Sequence, residues 1–317
     1  MTSNPMPISI ARTDIEAAER RIRPHIRDTP AISVGAADFD LFGRPINLKL
    51  EFLQHSGTFK ARGAFTNLLM RDGAEEGVVA ASGGNHGAAV AYAAQKLGHS
   101  ARIHVPATAT PAKIERIRSY GAEVVVGGER YKDAYLASLD FVRDNGGLFI
   151  HAYDQPETLM GQGTTALEWR RQAPELDTVL IAVGGGGLIG GMAAYFAGDV
   201  KVVGVEPELC PTLHAALAAG HPVDVPVGGI AADSLGGPRI GGLCFAVAQK
   251  HIDRSVLVSD AAIANAQKLL WERLRVAVEP GGAAALAALL AGAYEPAPDE
   301  RVGVLLCGAN TGAVTFG

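Results

Sequence analysis

The sequence predicts an α/β protein with two domains, each built on an open, twisted, mostly parallel sheet with helices on both faces. Two observations predict it. Short apolar runs alternate with helical stretches along most of the chain, and buried parallel strands joined by helices read in this way. Glycine is the second: 39 of 317 residues, about 12 % against a usual share of roughly 7 %, gathered where apolar runs end. With 48 % hydrophobic residues the chain can bury a large core, so disorder and a stapled mini-protein are excluded. The glycines do not recur every third residue, which excludes collagen.

The elements follow in order. Thr13-Asp-Ile-Glu16 reads as a capping box that opens an amphipathic helix through about Arg23. Gly77-Val-Val-Ala-Ala81 is a strand that leads through Ser82-Gly-Gly-Asn-His-Gly87 into an alanine-rich helix ending near Leu97. Arg102-Ile-His-Val105, a helix around Ala112 to Ser119 and Glu123-Val-Val-Val126 continue the alternation. Thr178 to Gly198 is uncharged and long enough to pose as a membrane span. Four glycines, Gly184 to Gly187, break it into the strand Thr178 to Val183 and a helix from about Leu188 to Ala197. Lys201-Val-Val-Gly-Val205 is the next strand. Ser255 to Val258 feeds a helix that Ser259 or Asp260 caps and that runs to about Trp271, and Arg301 to Leu306 is the last buried strand. The domain boundaries fall near Gly73 and Gly146, giving a small domain at residues 77–146 and a large one at 1–76 and 147–317.

Charge and cysteine usage narrow the function classes. A net charge of −5 without any basic run argues against nucleic acid and anionic membrane. Cys210, Cys244 and Cys307 are far apart, which suits a reducing cytosol better than a disulfide framework or a zinc site. No signal peptide is expected in Met1 to Arg23.

Ligands in such folds sit at strand exits, where loops enter helix N-termini. Gly184-Gly-Gly-Gly-Leu-Ile-Gly-Gly191 offers bare amides and a helix dipole to a phosphate, with Gly190 and Gly191 expected to share in the contact. Gly185, Gly187 and Gly190 also satisfy G-x-G-x-x-G, and Glu206 ends the next strand, so an NAD(P)-dependent oxidoreductase is an alternative. Ser82, Gly83, Gly84, Asn85 and His86 form a second loop suited to a carboxylate. Lys60, between Phe59 and Ala61, is an amine in an apolar setting that lowers its pKa. By chemistry alone Lys49, Lys96 and Lys113 are equally available.

A phosphate cradle, a carboxylate cradle and one amine occur together with Leu48-Lys-Leu-Glu-Phe-Leu-Gln54, Ser56-Gly-Thr-Phe-Lys-Ala-Arg-Gly63, Gly161-Gln-Gly-Thr164, Glu279-Pro280 and Cys307-Gly-Ala-Asn310. In these motifs the chain resembles the fold-type II pyridoxal-phosphate enzymes, whose fold is that of the tryptophan synthase β-subunit, and within them the threonine/serine dehydratases with their relative serine racemase. The resemblance implies pyridoxal 5'-phosphate in Schiff-base linkage to Lys60. It implies a cofactor site of Phe59, Asn85, Gly184 to Gly187, Leu188, Glu279 and Cys307, the last facing the pyridine nitrogen. The substrate carboxylate then docks on Ser82 to His86. The implied reaction is β-elimination from a small β-hydroxy α-amino acid such as threonine or serine, giving a 2-oxo acid and ammonia, with the neutral Lys60 as base. Serine racemization and hydroxyaspartate dehydration are the alternatives within the family.

Departures from the family pattern sharpen the expectation. Gly83 stands where racemases carry the serine that serves the opposite face of the substrate, which favours elimination. Tyr153 stands where the racemase has asparagine and dehydratases commonly have an aromatic ring. Of the family's divalent-cation ligands Glu206 and Cys210 match two, but Thr212 replaces the third carboxylate, leaving an incomplete set. The resemblance further implies a homodimer, and the end at Gly317 leads to no expectation of isoleucine feedback.

Overall fold

The computed structural model describes residues 10–312. Ten strands and twelve helices are formed by these residues. The strands are β1 (Ala31–Val34), β2 (Ile46–Lys49), β3 (Val78–Ala81), β4 (Ala101–Val105), β5 (Glu123–Val126), β6 (Leu148–Phe149), β7 (Thr178–Ala182), β8 (Lys201–Pro207), β9 (Arg254–Val258) and β10 (Val302–Leu305). The helices are α1 (Arg12–Ile22), α2 (Lys60–Met70), α3 (Asn85–Leu97), α4 (Pro111–Ser119), α5 (Tyr131–Asn145), α6 (Pro156–Gln172), α7 (Gly187–Phe196), α8 (Thr212–Ala219), α9 (Ala232–Leu235), α10 (Gly242–His251), α11 (Asp260–Leu274) and α12 (Pro280–Leu290).

They build two sheets. The larger has the order β1-β2-β10-β7-β8-β9, parallel except for the antiparallel edge strand β1, and the smaller has the order β5-β4-β3-β6, parallel throughout. Every residue of β3, β7 and β10 is buried, because helices cover both faces of each sheet. No described helix is long and apolar enough to cross a membrane, since Gly186 at φ +91° ends the apolar run of β7 before α7 begins. The strand β6 lies past the boundary expected at Gly146 and pairs with β3, so the smaller sheet reaches beyond residue 146.

Some local expectations shift. The first helix opens at Ala11, where the Asp14 carboxylate accepts the Ala11 N–H at 2.9 Å, so the Thr13-Glu16 capping box is not used. An aspartate three residues after the N-cap does the same work two residues earlier in the chain. Ser259 does cap α11, accepting the Ala262 N–H at 3.2 Å, and that helix continues past Trp271 to Leu274.

A buried polar seam joins α2 and α6 to β2 of the larger sheet. The Arg62 guanidinium on α2 donates to Glu51 at 2.6 and 3.0 Å and to Glu168 on α6 at 2.9 Å, and Glu168 also accepts from Lys49 on β2 at 2.6 Å. All four side chains are fully buried. Breaking such a set leaves an uncompensated charge in the core, at about 3–5 kcal/mol. The seam ties α2, and thus Lys60 at its first turn, to the scaffold of the large sheet.

Candidate active site

Lys60 is the first residue of α2, and its Nζ donates to the Ala152 carbonyl at 2.6 Å. Burial lowers its pKa to about 8, against weaker opposing effects of Cys244, Cys307 and Glu279. About a tenth of the amine is therefore neutral at pH 7, far more than for an ordinary lysine, as a nucleophile or base requires. Of the other lysines, Lys49 is locked to Glu168, and Lys113 pairs with Asp233 across the cleft.

On one side of Lys60 lies the glycine loop between β7 and α7. The N–H groups of Gly185, Gly186, Gly187 and Leu188 find no acceptor among the described residues, as first-turn amides do when they await a ligand. A Cβ at Gly187 would stand 2.9 Å from the Tyr153 Cα, so only bare backbone fits there. Phe59, Lys60, Asn85, Leu188, Glu279 and Cys307 line the same cavity. Free amides and a cradle that a Cβ would fill are what the phosphate of pyridoxal phosphate requires, so these residues fit that cofactor. Gly190 and Gly191 do not take part, contrary to expectation. Their missing side chains make room for Cys244 and for the Leu159 carbonyl, the latter only 2.1 Å from a Cβ at Gly191, so they serve the crossing of α7 with α10 and α6.

On the other side lies the loop between β3 and α3. Ser82 Oγ accepts the Gly84 N–H at 3.1 Å. The amides of Gly83, Asn85 and His86 have no acceptor among the described residues. The His86 ring is turned away, its Nε2 3.0 Å from the Ile150 carbonyl, and burial depresses its pKa to about 3. A carboxylate bound here thus meets neutral backbone donors and no imidazolium. Asn85 Nδ2 donates to Glu279 Oε1 at 2.6 Å, while its Oδ1 accepts from Asn310 Nδ2, and Asn310 Oδ1 accepts from Arg116. Burial raises the Glu279 pKa. Cys307 is buried, donates to the Gly281 carbonyl at 3.4 Å and has its pKa pushed up by burial, so a neutral thiol faces the cavity.

A Cβ at Gly83 would meet the Ala109 Cβ at 2.7 Å and Val105 Cγ1 at 3.0 Å, so the space beside Gly83 is filled by the wall of the smaller sheet.

Glu206 has a different use from either one expected. Its carboxylate accepts the Leu213 and His214 N–H groups at 2.7 and 2.8 Å and the hydroxyl of Ser255, capping the start of α8. Three donors, two of them first-turn amides of α8, occupy acceptor sites that a ribose or a metal ion would need. The Cys210 thiol donates to the Gly228 carbonyl at 3.1 Å, and no cluster of metal-ligating side chains occurs among the described residues. Thr212 Oγ1 donates to the Gly184 carbonyl, which links this cap to the phosphate loop.

The residues that sequence reasoning left without a role are Arg116, Tyr131, Asp233, Ser234 and Asn310. Asn310 lies within the Cys307-Gly-Ala-Asn310 motif, but its partners Asn85 and Arg116, like Lys113 for Asp233, lie far away in the chain.

Two strand-exit glycine loops that converge on a desolvated lysine define an α/β enzyme built to hold an anionic cofactor beside a small anionic substrate. Similarity now gives that class a family. The chain belongs to the pyridoxal-phosphate dependent enzymes, whose family model matches residues 22–308. It is 40 % identical over 308 residues to a phenylserine dehydratase of Ralstonia pickettii, covering 95 % of this chain and 94 % of that one. It is 38 % identical over 283 residues to an L-threonine ammonia-lyase of Geobacter sulfurreducens, covering 88 % of this chain and 70 % of the relative. Maize serine racemase is similar in structure, with a TM-score of 0.90 at 32 % identity over 96 % of this chain and 95 % of that one. The oxidoreductase alternative is overturned by the family match and by the internal donors that engage Glu206.

Proposed function

We propose that this chain releases a 2-oxo acid and ammonia from a β-hydroxy α-amino acid by β-elimination, with pyridoxal phosphate attached to Lys60. The carrying observation is the position of Lys60: a desolvated amine at the first turn of α2, in one cavity with the free amides of the Gly184 to Leu188 loop and within the cleft of the Ser82 to His86 loop.

When bound, the cofactor supplies an aldehyde that takes up the substrate amine and a ring that withdraws electrons from the α-carbon. The chain does the rest. Gly185 to Leu188 hold the phosphate on backbone amides, and Asn85, fixed by Asn310 and Glu279, presents its remaining N–H to the ring oxygen. Ser82, Gly83, Asn85 and His86 hold the carboxylate, the last three through the backbone. Lys60 Nζ, neutral once released, removes the α-proton. The β-hydroxyl departs as water, and hydrolysis of the released enamine returns that water and frees ammonia.

The buried neutral thiol of Cys307 leaves the ring nitrogen without a carboxylate to protonate it, which matches a reaction that expels its leaving group at once. The three free, buried cysteines fit the cytosol, and the resemblance supports a homodimer. Metal dependence is not part of this reading, because Glu206 is spent on α8.

The test is 2-oxo acid and ammonia release from a panel of β-hydroxy amino acids, with and without added pyridoxal phosphate. Equimolar products that require the cofactor, and that vanish in Lys60→Ala, support the reading. Products formed without the cofactor, or retained in that variant, overturn it.

A further inference from the structure

An amino acid bound for this reaction has three of its four α-substituents assigned: the amine to the cofactor, the carboxylate to the loop at Ser82, and the proton to Lys60. Its side chain is left with the remaining wall of the cleft, whose whole volume is about 500 Å³. Pro106 and Tyr131 form that wall from the smaller-sheet side, and Tyr153, Val227 and Pro238 from the larger-sheet side.

The wall is aromatic by construction. Tyr131 stacks on Tyr135 with centroids 6.0 Å apart, Tyr135 meets His151 edge-on at 5.7 Å, and His151 meets Tyr153 edge-on at 4.7 Å. A file of rings therefore runs from the start of α5 to the phosphate loop, against which Tyr153 packs. Charge is scarce. Apart from Lys60 and the neutral His86, the titratable side chain with a charge in this cleft is Asp233, already paired with Lys113. The cation nearest this wall, Lys113, is engaged by Asp233, so a carboxylate on the β-carbon finds no free partner among the described residues, whereas an apolar ring has Tyr131, Tyr153, Pro106, Val227 and Pro238 to meet.

We infer that the β-carbon of the substrate carries an aromatic ring, selected by Tyr131 and Tyr153. The inference rests on the β-elimination proposed above and names its substrate class. The α C–H and β C–O bonds break, water leaves and is returned on hydrolysis, and the product is an aryl-substituted 2-oxo acid with ammonia. No oxidant or reductant is required.

Two measurements on the cofactor-loaded enzyme test it. First, kcat/KM is compared for phenylserine, threonine, serine and 3-hydroxyaspartate. Phenylserine is expected at least about tenfold above threonine, the scale of one to two aromatic contacts, with 3-hydroxyaspartate lowest. Tyr131→Ala is expected to lower the phenylserine-to-threonine ratio about tenfold, mainly through KM, and Tyr131→Phe to restore it. Second, calorimetry compares L-phenylalanine with L-alanine, which lack the leaving group and only bind. Binding of L-phenylalanine about tenfold tighter supports the aromatic wall. Threonine turned over as efficiently as phenylserine, together with equal binding of the two non-reacting amino acids, overturns the inference while leaving β-elimination intact. If no β-hydroxy amino acid yields a 2-oxo acid, the reaction itself is wrongly assigned, and the binding comparison still decides the wall.

Discussion

The loops at Gly184 and at Ser82 share a plan, a buried parallel strand running into a glycine turn and then a helix N-terminus, yet each stands beside a buried carboxylate used in a different way. Next to the first, Glu206 accepts from three internal donors and braces α8, whose Thr212 holds the Gly184 carbonyl. Next to the second, Glu279 receives one strong bond from Asn85 and otherwise lines the cofactor cavity. Burial raises the pKa of both acids. What separates a structural acid from one at a reacting centre is therefore the donor set, since equal burial is read in two ways. On the function proposed above, the first loop is a fixed seat for a permanent anion, and the second is built for an anion that comes and goes.

The comparison breaks most readily at the fixed seat. Gly187→Ala forces a methyl group against the Tyr153 backbone, an overpacking of about 3 kcal/mol, so pyridoxal phosphate affinity should fall about 100-fold in a fluorescence titration. Unchanged affinity would mean that the phosphate sits elsewhere. At the second loop, Asn85→Ala removes the hydrogen bond to Glu279 and a cofactor contact, and turnover should drop about 10- to 100-fold while the melting temperature changes little. A large stability loss with normal turnover of the folded fraction would make Asn85 a scaffold residue.

Between the loops, capture of pyridoxal phosphate by the cofactor-free protein should accelerate as pH rises toward the Lys60 value of about 8 and level off above it. The sign follows from the neutral amine being the nucleophile, whose fraction grows about tenfold per pH unit below that value. Stopped-flow absorbance checks it; a rate independent of pH from 6 to 9 would remove the desolvated amine. The smallest effect on the site is expected from Glu206→Gln, which should cost about 1–3 kcal/mol of stability in denaturant unfolding through mismatched donors around α8. Cofactor affinity should stay within about threefold. A collapse of affinity without a loss of stability would erase the distinction between the two acids.

Much of this was legible in the sequence for a physical reason. The exits of β3 and β7 announce themselves because strand, glycine turn and helix start are contiguous, so Ser82 to His86 and Gly184 to Leu188 could be placed before any coordinates. Glycines such as Gly190 and Gly191 look the same in sequence whether they face a phosphate or a neighbouring helix, and only the packing of Leu159 and Cys244 tells the two apart. The strand β2 ends in Lys49, which is buried because Glu168, distant in the chain, neutralises it. Tyr131 and Asn310 likewise acquire their roles from residues that folding brings near. Local chemistry can be read along a chain, but pairing across it cannot.

The central claim is that Lys60 is the amine that holds the cofactor between these two loops. Borohydride reduction of the protein loaded with pyridoxal phosphate, followed by peptide mapping, tests it most directly. The label is expected on the peptide containing Lys60 and nowhere else. Label on Lys49, Lys96 or Lys113, or none on Lys60, would contradict the account.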